Sequence, residues 1–325
     1  MPELTLGIPM YNAMPFLPET ISSLLTQDYH DFNILIIDDG STDESSQYLK
    51  TVKDNRLRVI RQENKGIIFT RNRLLQETRT PWLVLLDHDD IAYPNRIRLV
   101  MEYIRKYPGA GMFYSMAKYH GSKNVGTFRT TIATPAVLRN LTKAGYLLAI
   151  CQSTVTLNVR KVLDTGGYTL NLSGVEDVDL FWRLALNSEI IFIPEVTTGF
   201  RLNFSTVSSK GLLKQSIDVI YVQYLLLSHL WGLSPLADDE VRNHLPALLD
   251  KKHLQFRENI RKVNIYASGK DYIRASAYAA KSLLTSPGHF IKRLTYELGS
   301  KEIAVNGIDP RIFAGFSHNL WKDMV

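Results

Sequence analysis

Four short apolar runs, Leu4–Pro9, Phe32–Ile37, Leu57–Ile60 and Trp82–Leu86, alternate with stretches of helical character, and this alternation constrains the fold more than any other feature of the chain. Phe16, Leu17, Ile21, Leu24 and Leu25 recur after Pro15 at the spacing of one helix face, and Ile97, Val100, Met101 and Ile104 do so within Asn95–Lys106. Continuous apolar strands separated by helices of about 10–15 residues predict βαβ units and a mainly parallel sheet covered on both faces. The fold class is therefore α/β, and 325 residues suffice for one large core with an appendage.

Polar residues stand directly after each run. The first ends in Pro9-Met10-Tyr11-Asn12 and the second in Asp38-Asp39-Gly40-Ser41-Thr42-Asp43. The third is followed by Asn64-Lys65-Gly66 and Thr70-Arg71-Asn72, and the fourth runs into Asp87-His88-Asp89-Asp90. In open parallel sheets the loops after the strands converge on one edge, so these residues are expected to share a cleft. Ser41 or Thr42 is expected to cap the helix after the second strand, with Asp43 and Glu44 in its first turn. Three carboxylates within Asp87–Asp90 repel one another, and oxygen ligands of this kind suit Mg²⁺ or Mn²⁺.

In order, spacing and strand context these motifs resemble family 2 glycosyltransferases of GT-A fold, over about residues 3–208. The resemblance implies a GT-A type, Rossmann-like sheet and inverting transfer of a sugar from a nucleoside diphosphate to an acceptor hydroxyl, with UDP the favoured nucleotide. Carried over by motif, Pro9, Tyr11, Asn12, Asp39, Lys65, Arg71, Asp87, Asp90 and Arg201 would hold the nucleotide sugar. Tyr11 would stack on the base, Asp39 would bond base or ribose, and Arg71 and Arg201 would share the leaving-group charge. Asp89 would anchor the metal, Mn²⁺ or Mg²⁺, with Asp87 as a second candidate ligand. The Gly174–Leu184 segment opens with Glu176-Asp177, and Asp177 is the implied general base. Where related enzymes often carry a histidine ligand, this chain has Asn203, a weaker donor. A saccharide or lipid-linked acceptor, in cell-surface polysaccharide or glycolipid synthesis, is the implied setting. A sugar nucleotidyltransferase is the competing enzyme reading, but no Gly-rich triphosphate loop follows the first strand. A catalytically inactive nucleotide-sugar scaffold would be favoured by Asn203 and opposed by the intact acids.

Further along, Gly111–Tyr119, Gln152–Asn158, Ile190–Ile193 and Val196–Phe200 read as strands, Arg160–Asp164 as a short helix and Gly121–Gly126 as a hairpin turn. Thr127–Tyr146 fits no single template. From Gly211 the pattern turns to apolar helices, clearest at Leu212–Trp231, Val241–Leu249 and Asp271–Leu284. The expected division is a catalytic domain over 1–210 and a helical region over 211–325. Lys251, Lys252, Arg257, Arg261 and Lys262, interleaved with Leu254, Phe256 and Ile260, read first as a solvated helix face. A second reading is docking on the anionic inner membrane surface. A net charge of +6 favours phosphate-bearing partners, while the scattered basic residues match no nucleic-acid-binding signature. One cysteine, no secretory leader and no apolar run of membrane-spanning length give a cytoplasmic expectation, with peripheral membrane contact as the variant.

Overall fold

A computed structural model describes residues 2–120, 126–201, 212–297, 303–314 and 320–321. The first half follows the predicted alternation: β1 (Leu4–Met10), α1 (Leu17–Leu25), β2 (Asn33–Asp38), α2 (Ser45–Thr51), β3 (Leu57–Arg61), α3 (Ile67–Glu77) and β4 (Trp82–Leu85). There follow β5 (Ile91–Ala92), α4 (Arg96–Lys106), β6 (Met112–His120), α5 (Pro135–Lys143), β7 (Leu147–Leu148), β8 (Thr156–Asn158), α6 (Val159–Asp164), α7 (Glu176–Asn187) and β9 (Ile190–Arg201). Eight strands form one sheet in the order β3-β2-β1-β4-β8-β6-β9-β5. The pairs β1/β2, β1/β4, β2/β3 and β6/β9 are parallel, whereas β8 runs antiparallel to β4 and β6, and β5 antiparallel to β9.

Both faces of the sheet are covered, which is why its strands read as unbroken apolar runs. On one face Leu6, Ile8, Ile36 and Val84 pack against Ile21 and Leu24 of α1 and Ile97, Val100 and Met101 of α4. On the other, Leu35, Ile37, Leu83 and Leu85 meet Leu74 and Leu75 of α3 and Leu180, Phe181 and Leu184 of α7. Each fully buried aliphatic side chain of this kind contributes about 1.5–3 kcal/mol relative to exposure.

Several elements depart from the sequence expectation for identifiable reasons. Helix α2 begins at Ser45, not after Ser41 or Thr42, because Asp38 and Asn12 hold the intervening backbone in a loop. Thr127–Tyr146 contains α5, whose Thr134 side chain caps the Val137 N–H. Gln152–Asn158 splits into a 3-10 turn at Gln152–Thr154 and the short β8. The two strands foreseen in 190–200 are one, continuous through Pro194. Proline is tolerated there because the β6/β9 register shifts between Tyr114 and Met116, where a missing N–H leaves no ladder bond broken. The hairpin placed at Gly121–Gly126 lies outside the described residues except Gly126, with Lys118 and Thr127 paired antiparallel on either side.

The C-terminal part consists of α8 (Leu212–Trp231), α9 (Asp238–His244), α10 (Lys251–Ser268), α11 (Tyr272–Thr285), α12 (Pro287–Glu297), β10 (Val305–Asn306) and α13 (Pro310–Ala314). The foreseen helix over Val241–Leu249 divides into the end of α9 and a 3-10 turn at Leu245–Leu248. Ile220, Tyr224, Leu227, Val241, Leu245, Phe313 and Trp321 make a core of their own. Val222 and Leu226 of α8 pack on Val178 and Trp182 of α7, and β10 pairs with β7. Among the described residues no helix is long and apolar enough to cross a membrane.

Candidate active site

The polar residues after β1, β2, β3 and β4 do meet at one edge, but many of them hold each other rather than face solvent. Asn12 adopts a left-handed backbone (φ 47°), and its Oδ1 accepts N–H bonds from Thr42 (2.8 Å) and Asp43 (3.3 Å), while its own N–H donates to Ser41 Oγ. Asp38 accepts from the Ser41 N–H and from Ser46 Oγ. Asp39, expected to bond base or ribose, is 3% exposed. Its Oδ1 accepts from Gln62 Nε2 (2.7 Å) and the Lys65 N–H (2.9 Å), and its Oδ2 from the Gly66 N–H (2.8 Å). Three of its roughly four acceptor directions are thus filled by protein, and its first role is to join the loops after β2 and β3. Gly40 lies between them with φ +76°, where a Cβ would stand 2.8 Å from the Asn64 nitrogen. Pro9 is buried within β1, so its ring is not presented to a ligand. Tyr11, at 44% exposure, and the exposed Lys65, whose Nζ lies 4.7 Å from the Phe69 ring centroid, do face outward.

The acid turn after β4 is fixed at several points. The Asp87 N–H donates to Ser153 Oγ, the Asp90 N–H to the Asp87 carbonyl, and Thr20 Oγ1 to the His88 carbonyl. Asp87, His88 and Asp89 are half-buried. Asp90, expected to touch the nucleotide sugar, is 1% exposed and points inward. Its Oδ1 accepts the Arg201 N–H at 2.8 Å, and its Oδ2 is buried without a partner. Burial and the neighbouring Asp89 and Asp87 charges push the Asp90 carboxyl well above the ordinary range, and burial chiefly pushes Asp89 up as well. Such crowding of oxygen donors fits a hard divalent cation, which would relieve the repulsion. Among the described residues no group of three or more His, Cys, Asp or Glu forms a complete cage. Asp89 and Asp87 could supply one or two ligands, with the rest from solvent or substrate. Asn203 lies outside the described residues.

The two arginines are engaged differently from expectation. Arg71, 6% exposed, donates from Nη1 to Glu176 Oε1 and from Nη2 to Asp87 Oδ1 (3.1 Å). Nη1 and Nη2 each hold an acid while Nε is buried without a partner, so Arg71 bridges α3, the acid turn and α7. Arg201 donates from Nε to the Asp89 carbonyl (2.9 Å) and from Nη2 to Glu19 Oε2 (2.5 Å), with its guanidinium 4.6 Å from the Phe16 ring centroid. It therefore clamps the turn from the side of β9.

At the start of α7 three acids take separate parts. Glu176, 3% exposed, is held by Arg71 and by the Gly174 N–H. Asp179 accepts from Thr169, Trp182 and Arg183. Asp177 is left over: among the described residues its one hydrogen bond comes from the Val178 N–H. Burial and the Glu176 charge push its carboxyl up to about 7, against the opposing pull of Arg71. A carboxyl tuned to that range suits proton exchange near neutral pH. Another pair of motifs is also joined here. Asn72 donates to the Tyr168 carbonyl and accepts from the Tyr168 N–H, both at 2.9 Å. Gly167, at φ +71°, must lack a Cβ because one would lie 2.7 Å from Asn72 Oδ1.

A model of glycosyl transferase family 2 matches residues 5–167, just over half of the 325 residues. The chain belongs to this family. An uncharacterized glycosyltransferase of Rickettsia conorii is 23% identical over 288 residues, 87% of this chain and 47% of its own length. Chondroitin synthase of Escherichia coli is 28% identical over 192 residues, 57% of this chain and 27% of its own. The chain spans about half the length of the Rickettsia relatives it matches. Among solved structures, S. aureus TarS 1–349 in complex with UDP-GlcNAc gives a TM-score of 0.54 at 16% identity, covering 87% of this chain and 91% of that one. A mannosyltransferase from Pyrobaculum calidifontis in complex with GDP-Man and Mn²⁺ gives 0.51 at 16% identity, covering 91% and 79%. At these identities the likeness establishes the fold, which is GT-A.

The glycosyltransferase motifs and the structure also account for what the sequence left unread. Glu176, Glu19 and Ser153 shape the site yet carry no motif of their own. Glu19 looks like any first-turn acid of a helix, and its bond to Arg201 spans 182 positions. Glu176 was legible only as a companion of Asp177.

Proposed function

We propose that this glycosyltransferase transfers a sugar from a nucleoside diphosphate, UDP in the first instance, to an acceptor hydroxyl, with inversion and with Asp177 as general base. The observation carrying this reading is the division of labour around Arg71. It joins Asp87 of the acid turn to Glu176, so the acid turn and the start of α7 share one charge neighbourhood, and of the three acids opening α7 Asp177 alone keeps a carboxylate oxygen without a hydrogen bond among the described residues. The nucleotide sugars bound by TarS and by the Pyrobaculum mannosyltransferase support the donor class.

In this reading Tyr11 packs on the base at the mouth of the β1 loop, and Asp39 orders the loops that form the nucleotide's floor. Asp89, with Asp87, would hold Mn²⁺ or Mg²⁺, which supplies Lewis-acid stabilisation of the leaving diphosphate. Asp90 and Arg201 keep the turn in shape. Asp177 accepts the proton of the acceptor hydroxyl as its oxygen bonds to the anomeric carbon and the bond to the diphosphate oxygen breaks. General-base assistance of this kind contributes about 10²–10⁴ in rate. We further propose that residues 1–210 carry the chemistry and 211–325 serve the acceptor, in polysaccharide or glycolipid assembly; the chondroitin synthase relative supports that setting. A thermal-shift screen of nucleotide sugars with and without Mn²⁺ tests the donor and the metal together. Stabilisation by a nucleotide sugar that requires Mn²⁺ and disappears in Asp89→Ala is expected; no response to any nucleotide sugar would overturn the reading.

A further inference from the structure

The basic helix α10 does not turn all of its charge outward. Lys251 and Lys252 are exposed and Lys262 pairs with Glu258, but His253, Arg257 and Arg261 recur every fourth residue and form a half-buried stripe. Successive members are about 6 Å apart along the helix. The His289 ring of α12 lies 4.3 Å from that of His253, and its Nδ1 is 2.8 Å from Ser286 Oγ. Arg129 adds positive charge from the segment after β6. Arg261 Nη2 donates to Gln215 Oε1, but its Nη1 is buried without a partner, as is His253 Nδ1. Arg257 makes no hydrogen bond or ion pair with any described residue. The acids within electrostatic reach are otherwise occupied: Asp250 accepts the Lys252 N–H and Glu258 pairs with Lys262. Burial and mutual repulsion accordingly lower His253 to about 4 and Arg257 to about 10.

Two half-buried arginines four residues apart, neither paired with an acid among the described residues, repel one another unless an anion joins them. We infer that His253, Arg257 and Arg261 of α10, with His289 of α12, form a binding site for a phosphoryl group, as a phosphomonoester or a diphosphate. Arginine forks match phosphate oxygens, and the unpartnered Nη1 and Nδ1 atoms supply donor positions. The site adjoins the end of β6, since Tyr119 lies within electrostatic reach of Arg261. The next residue, His120, bonds Glu19, which holds Arg201 and through it the Asp89 carbonyl. A phosphorylated acceptor could therefore be gripped on the same edge of the sheet as the acid turn. Phosphate binding here needs only α10, α12 and their neighbours, whereas its use for an acceptor rests on the proposed sugar transfer.

The test is a titration of the full chain, labelled at histidine, with inorganic phosphate at constant ionic strength, followed by NMR. Saturable movement of the His253 and His289 resonances is expected, with chloride producing none; His88 serves as the reporter for phosphate entering the acid-turn region instead. Arg257→Gln and Arg261→Gln should each weaken phosphate at least about tenfold, as expected for loss of a charge-assisted bond. Far-UV circular dichroism verifies that each variant remains folded, and Arg261→Lys, which keeps the charge, should retain more affinity than Arg261→Gln. Movement of His88 alone, equal effects of chloride and phosphate, or unchanged affinity in both glutamine variants would overturn the site. A response to phosphatidylglycerol vesicles with none to inorganic phosphate would also overturn it, because recognition would then lie on the exposed lysines.

Discussion

Arg71→Met is the perturbation that most directly tests how the site is held. Methionine preserves much of the side-chain length but removes both forks, leaving Glu176 at 3% exposure with only the Gly174 N–H as partner. Breaking a buried pair by deleting one member costs about 3–5 kcal/mol, because the remaining charge is stranded. At about 2–4 °C per kcal/mol for large domains, the melting temperature should fall by about 6–20 °C. Glu176→Gln in the same chain removes the stranded charge, so the double variant should be less destabilised than the sum of the singles by about 1–3 kcal/mol. A functional readout accompanies this. Arg71 opposes the rise of the Asp177 carboxyl, so its loss should move the acid limb of the kcat–pH profile to higher pH. Differential scanning fluorimetry across the cycle and a pH–rate profile on Arg71→Met measure both effects. Melting within about 1 °C of wild type, together with an unmoved acid limb, would refute the bridge as the element joining the acid turn and α7.

Asp89→Ala should abolish transfer and remove the metal dependence of nucleotide binding measured by calorimetry, while leaving the melting temperature near wild type. Asp177→Asn should keep donor affinity and lose about 10²–10⁴ in kcat; loss of donor affinity instead would make Asp177 a binding residue. The same variant has a signature in stability. The folded chain holds the Asp177 proton up to about pH 7, whereas an unfolded aspartate releases it near the ordinary value of 3.8. Wild-type stability from this group is therefore lost as pH rises from about 4 to 7, and Asp177→Asn should gain on wild type over that window in urea titrations. Asp90→Asn should be tolerated, since burial and the neighbouring carboxylates disfavour the charged form of this inward carboxyl and asparagine removes that charge; a fall in melting temperature as large as that of Arg71→Met would contradict this.

The parts of the molecule that proved legible were those where periodicity and chain order carry the information. β1 to β4 and the loops after them follow from apolar runs ending in polar residues, and α4 and α8 from helical spacing. The structure corrected how individual residues face. Asp39 and Asn12 were recognised by position, but a position cannot reveal that their acceptors are filled by backbone N–H groups from other loops. Likewise Arg257 and Arg261 looked solvated because composition reports charge, not the side of a helix that packs. α5 was missed despite the Thr134-Pro135 start signal, since its short apolar stripe sits among polar neighbours. β9 was broken at Pro194 because the bulge that accommodates the proline is set by the register against β6, which the sequence of β9 does not display.

One consequence follows from where the acid turn begins and ends. β4 stops at Leu85 and β5 starts at Ile91, yet β8, β6 and β9 lie between them in the sheet. Four inter-strand steps of about 4.8 Å would separate them by about 19 Å in a flat sheet. Six residues reach that far only when close to full extension, about 20–22 Å, and Asp87–Asp90 is folded back by its own hydrogen bond. The sheet must therefore coil until β9 passes over the end of β4, and the acid turn is the hem that keeps it coiled. A single inserted residue there would slacken the hem, so the length of this turn is constrained by architecture as strictly as its carboxylates are by chemistry.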